Sequence, residues 1–159
     1  KVYLPEVFPD EVKCTVTEHG AEVIETSDAT EICPHIGTTP VMGLDIPEQG
    51  LCVKTEEGTV VMTGCAHPGI ADMVQSARKV YDGRIRAAFG GFHLKDAWIT
   101  DINFTIARLK ELGVRLVGPC HCSGDECRDR MRHAFGRKYV DLAVGSRIEL
   151  GSETHSPYT

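Results

Sequence analysis

Three histidines, His67, His93 and His121, stand 26 and 28 residues apart. Each closes an apolar run: VVMTGCAH, IRAAFGGFH and VRLVGPCH. A glycine lies within three residues of each. Imidazole is the commonest protein ligand for zinc, suits iron as well, and is the usual acid–base group near neutral pH. One loop histidine alone is more often an ordinary hydrogen-bonded residue. Three at equivalent places in successive units favour a metal or acid–base site. His19, His35, His133 and His155 lack this context and are assigned nothing.

The spacing matches one strand and one helix per histidine. Equivalent ends of neighbouring strands share one edge of a sheet, where open α/β folds place their chemistry. The thiols offer a rival centre, a small zinc-binding module of Cys120, His121, Cys122 and Cys127. Structural zinc sites usually take ligand pairs two to four residues apart. In an extended chain, Cys120 and Cys122 alternate around His121 and are expected to point away from it. Gly90-Gly91 has no companion lysine of a phosphate loop and reads as close backbone approach around His93.

The elements that must carry these residues are legible in the pattern. Pro9-Asp10-Glu11 opens a short helix that Gly20 ends. Residues 21–26 (AEVIET) alternate as a strand. Residues 31–50 read as an irregular excursion with at most one short strand. Residues 50–55 and 59–63 flank Glu56-Glu57-Gly58 as a hairpin. From Pro68, the residues Ile70, Met73, Val74, Ala77 and Val80 fall at helical spacing, stopping at Asp82-Gly83. A strand at 85–89, a helix at 101–112, a strand at 114–117 and a helix at 123–135 follow. Short strands at 139–144 and 147–150 close residues 1–150, and 151–159 form a polar tail. Strand, loop and helix recur three times, an α/β layout.

Seventeen basic against 23 acidic residues give a net charge of −6. That balance argues against nucleic acid or an anionic membrane surface as partner, and no apolar stretch approaches the roughly 20 residues a bilayer span needs. A small-molecule substrate is the expected partner. Seven scattered cysteines are an odd set that does not read as a disulfide framework, so a reduced, cytoplasmic setting is expected. The chain starts at Lys1 directly in the strand-like KVYL, and reads as a piece of something longer.

Residues 63–70 (TGCAHPGI), 90–94 (GGFHL) and 121–124 (HCSG), in this order, resemble the metallo-β-lactamase-fold hydrolases. Within them the pattern is similar to the branch related to the archaeal dihydropterin-ribofuranosylaminobenzene phosphate synthase. Glu48-Gln49-Gly50-Leu51 and Val144-Gly145-Ser146 fit it too, so the resemblance runs from about Val2 to Leu150. It implies the carboxyl-terminal part of a metallo-β-lactamase-like αββα sandwich with a one- or two-metal centre at a sheet edge. His67 would match the histidine on the first metal and His121 the last histidine, on the second. His93 falls where most of the superfamily places a bridging aspartate, and is carried as both ligand and catalytic group. The implied cofactor is a divalent metal, zinc first, with iron or manganese as alternatives. The implied reaction is attack of metal-activated water on a small ester or phosphate-type substrate.

The family's main ligand motif, H-x-H-x-D-H, occurs nowhere in this chain. KVYLPEVF resembles the segment that follows that motif and its helix. The reading is therefore a truncated domain in which three ligands leave each metal position underligated. Half a sandwich also exposes an apolar sheet face. The expected remedy is a homo-oligomer, or a chain supplying the amino-terminal half. The other possibility is a catalytically silent oligomeric fragment for binding or assembly.

Overall fold

The β-branched run TVVMT and the small-residue run IRAAFGG suit strands buried on both faces. In the computed structural model, which describes residues 1–81 and 83–150, both are central strands. The chain runs β1 (Val2–Pro5), α1 (Asp10–Glu18), β2 (Val23–Thr26), β3 (Glu31–Cys33), β4 (Ile36–Thr38), β5 (Leu51–Thr55) and β6 (Gly58–Thr63). It continues with α2 (Ile70–Val80), β7 (Ile85–Gly91), α3 (Ile99–Glu111), β8 (Leu116–Cys120) and α4 (Asp125–Phe135). The polar tail at 151–159 and Asp82 of the α2 stop lie outside the described residues.

Strands β3 to β8 form one six-stranded sheet in sequence order. Pairing is antiparallel from β3 to β6 and parallel from β6 to β8. The crossovers run through α2 and α3. In register, Val61, Ala88 and Val117 line up across β6, β7 and β8 and face the helices. There they meet Met73, Val74 and Ala77 of α2, Ile102 and Leu109 of α3, and Cys127 and Met131 of α4, all buried. Their neighbours Val60, Ala87 and Phe89 point to the opposite face.

That opposite face departs from expectation. It is covered in part by the chain's own last described segment, through Val140, Leu142, Ile148 and Leu150. A Cβ on Gly118 would meet Leu142 Cδ1 at 2.7 Å, so Leu142 lies directly over β8. Residues 139–144 and 147–150 are not strands. One bridge, Val117 with Tyr139, pairs the segment to β8, and the rest lies across the sheet. Their alternation reflects a strap half-buried on an apolar surface, turning at Gly145 with φ +86°.

Two further readings shift. The excursion at 31–50 contains two short strands, and Met42 bridges Glu48 beyond them. Backbone bonds such as the Thr39 N–H to Gly50 O at 2.9 Å are supplemented there by side chains: Thr39 Oγ1 accepts from the Gly50 N–H at 2.9 Å, and Gln49 Nε2 donates to Thr39 O at 3.0 Å. The strand expected at 114–117 runs instead over β8, because Pro119 and Cys120 pair with Gly90 and Gly91. Proline is tolerated there because β8 is the last strand of the sheet.

Strands β1 and β2 form a separate parallel pair linked by α1. Helix α1 buries no residue, and Lys13 ties it to β2 by donating to Glu25 Oε2 at 2.7 Å. The unit joins the main sheet through Thr26 Oγ1, which donates to Gln49 Oε1 at 2.9 Å. Among the described residues, no helix is long and apolar enough to cross a membrane.

Candidate metal centre

The parallel strands end in step. Thr63, Gly90 and Pro119 are register partners, and the loops that follow carry the three histidines onto one edge of the sheet. Close approach of backbone makes this possible. A Cβ on Gly90 would sit 2.1 Å from Thr63 O, and one on Gly91 would sit 2.2 Å from Gly64 O. The Gly91 N–H donates to Gly64 O at 3.1 Å, and Thr63 Oγ1 donates to Gly91 O at 2.8 Å. The reading of Gly90-Gly91 as a close-approach pair around His93 thus agrees with the geometry.

Among the described residues, three of the four non-glycine residues with positive φ lie in these loops: Ala66 at +59°, His93 at +51° and His121 at +50°; the fourth is His35. Left-handed backbone is uncommon for side-chain-bearing residues and persists where the surroundings enforce it. Here Ser123, fully buried, supplies the enforcement. Its Oγ donates to Cys120 O at 2.7 Å and accepts from the Phe92 N–H at 3.1 Å, fastening the His93 loop to the His121 loop. The Lys95 N–H adds a bond to Cys122 O at 3.2 Å.

His67 is held by a carboxylate that sequence reasoning did not assign. Glu48 Oε1 lies 2.6 Å from His67 Nδ1, and Glu48 Oε2 accepts from the His67 backbone N–H at 3.0 Å. With Nδ1 engaged, the other ring nitrogen is left to act as ligand. His93 stands beside it, with ring centroids 4.4 Å apart and planes tilted by 52°.

His121 has different company. Among the described residues, ligand-type groups whose donor atoms lie within 4.8 Å of one another are Cys65–His121–Cys122 and Glu48–Cys65–His67. His67 thus stands beside His93, His121 lies with Cys122, and Cys65 belongs to both groups. The expectation that Cys122 points away from His121 is corrected. At His121 the chain leaves the extended form and enters a 3-10 turn over His121–Ser123, bringing both side chains to one side. Cys127 is excluded from that cluster, being fully buried among the apolar residues under the sheet, where burial pushes its thiol up to about 12. Burial, then the neighbouring Cys122 thiol, also raises the Cys65 thiol.

No family model matches the chain. Its architecture superposes on a solved metal-dependent hydrolase of the β-lactamase superfamily with a TM-score of 0.73 and 28% identity. The match covers 82% of this chain and 60% of that one. The fold is that of the metallo-β-lactamase superfamily. The resemblance read from TGCAHPGI and GGFHL, and the α/β class read from the strand–helix repeats, are both borne out.

A second solved structure, isothiocyanate hydrolase from Delia radicum gut bacteria, gives a TM-score of 0.55. It is 13% identical over 91% of this chain and 66% of its own, a likeness of fold alone. Among curated proteins, 104 residues are 37% identical to the 7,8-dihydropterin-6-methyl-4-(β-D-ribofuranosyl)-aminobenzene-5′-phosphate synthase of Methanocaldococcus jannaschii. That stretch is 65% of this chain and 35% of the relative, so the chain spans about a third of the length of the curated protein it matches.

Proposed function

We propose that this chain supplies the histidine-bearing loops of a metal-dependent hydrolase, or of a related transferase, acting on a small ester or phosphate-type substrate. The observation that carries the reading is the Glu48–His67 pair at 2.6 Å with the His93 ring alongside. A carboxylate holding one imidazole nitrogen so that the other can ligate is the usual outer support of a metal site. The donor set fits a divalent metal, and relatedness to metal-dependent hydrolases of this superfamily points the same way. His67 and His121 would hold metal, zinc first, with iron or manganese as alternatives. His93 would serve as a further ligand or as the group that moves a proton.

When bound, such a metal supplies Lewis acidity and lowers the pKa of the water it holds. The chain's own contribution is positioning. Glu48 sets the tautomer of His67, Ser123 locks the loops, and the left-handed backbone at His93 and His121 aims both side chains off the sheet edge. The H-x-H-x-D-H ligands would come from a separate segment, or the centre would be completed in a second copy. The β1–α1–β2 unit is the natural place for that pairing. Its strands bury only Pro5 and Thr26, its helix buries nothing, and a two-stranded sheet is marginal by itself.

The test is metal content per chain, before and after a chelator, in the natural sequence and in His67→Ala. A chelator-removable metal content that is lower by about one metal per chain in His67→Ala than in the natural sequence is the expected result. A metal content near zero, or one indifferent to His67, sinks the reading. A silent assembly fragment is the second possibility, favoured by the sparse burial of α1. An oligomer in light scattering that holds no metal would select it.

A further inference from the structure

Cys65, His121 and Cys122 converge without serving the core. Cys52 and Cys127 show what packing cysteines look like here, both fully buried among apolar side chains. Cys65 and Cys122 are only half-buried, and His121 is exposed. Their two Sγ atoms and an imidazole nitrogen lie within 4.8 Å of one another. The convergence is built. Cys122 Sγ donates to Cys65 O at 3.6 Å, and a Cβ on Gly91 would meet Cys122 Sγ at 2.8 Å and Cys65 Cα at 3.1 Å. Only glycine at position 91 leaves room for the thiol. The left-handed His121 turns its ring toward the same point.

Tetrahedral zinc with Zn–S of about 2.3 Å and Zn–N of about 2.0–2.1 Å sets its donor atoms roughly 3.3–3.8 Å apart. A small closure of the cluster reaches that spacing. We propose that Cys65, His121 and Cys122 form a thiolate-rich zinc site whose fourth position is open to solvent. Two sulfurs and one nitrogen favour zinc and other thiophilic ions over magnesium or manganese. Three protein ligands with one open position is the arrangement of catalytic rather than structural zinc. Loading converts both thiols to thiolates and releases their two protons to solvent. The other group containing Cys65 is a weaker candidate, because both oxygens of Glu48 are engaged by His67. The site shares His121 with the hydrolytic reading but needs neither His67 nor His93, so the two can fail separately.

Cobalt(II) alone, added to the reduced chain, tests it. The expected result is a near-ultraviolet thiolate-to-cobalt band that falls about twofold in Cys65→Ser or Cys122→Ser and disappears in the double variant. The band should be unchanged in Cys120→Ser and in His67→Ala. Absence of the band from the natural sequence, or its persistence in the double variant, overturns the proposal. A second measurement needs no variant: zinc should protect Cys65 and Cys122 from alkylation, as mapped by mass spectrometry. Protection of Cys120 in place of Cys122, or of neither Cys65 nor Cys122, overturns it too.

Discussion

Glu48 shows how one residue governs a site it need not touch directly. Its carboxylate accepts from both the side chain and the backbone of His67, so the amide in Glu48→Gln keeps the shape and loses the charge. Metal affinity should fall about 10–100-fold, read by competition with a chromophoric chelator, with secondary structure unchanged. A second residue-scale effect lies in the core. Burial pushes the Cys52 and Cys127 thiols up to about 12, whereas an unfolded thiol ionises at about 8.5. The folded state therefore holds protons that the unfolded state gives up between those values, so stability is full below about pH 8.5 and falls as pH rises toward 12. The slope is about 1.4 kcal/mol per pH unit for each thiol. Cys127→Ala should flatten the alkaline decline by one such slope in denaturant titrations at pH 9 to 11, beneath its own cavity cost.

At the scale of elements, the excursion between β3 and β5 positions Glu48, and Thr39 holds it. Thr39 is fully buried, and its Oγ1 accepts from the Gly50 N–H. Thr39→Val leaves that donor unpaired, costing about 1–3 kcal/mol in urea unfolding, and should weaken metal binding through Glu48. This stretch was also the least legible. The hairpin, β6, α2, β7, α3 and α4 announce themselves because buried faces impose periods of 2 and 3.6 on apolar residues. Strands β3 and β4 are three residues each, too short to show an apolar period, and the chain beyond them is steadied by threonine and glutamine side chains that leave none. The same blindness hid Glu48. It could be seen as part of Glu48-Gln49-Gly50-Leu51 but not as the partner of a residue 19 positions on. The histidines were legible because one falls in each strand–helix unit. The thiols were misplaced because an alternation argument assumes extended chain, and His121 begins a turn.

For the whole molecule, the strap over the sheet decides how much apolar surface remains for association. Leu142→Asp should lift it from Gly118 and Phe89 and uncover Val60, Ala87 and Phe89. The expected outcome is a rise in apparent mass by light scattering, together with enhanced binding of a hydrophobic dye. An unchanged mass and dye signal would mean the strap contributes no cover. Because each of the three histidine loops follows the carboxyl end of β6, β7 or β8, the candidate site lies at one end of these strands and the other end is plain. The plain end is made of the Glu56-Glu57-Gly58 connection and the turn at Gly113, where an added Cβ would meet nothing within 4 Å. A peptide tag or surface tether grafted at Gly113 should hold the protein with its histidines facing outward.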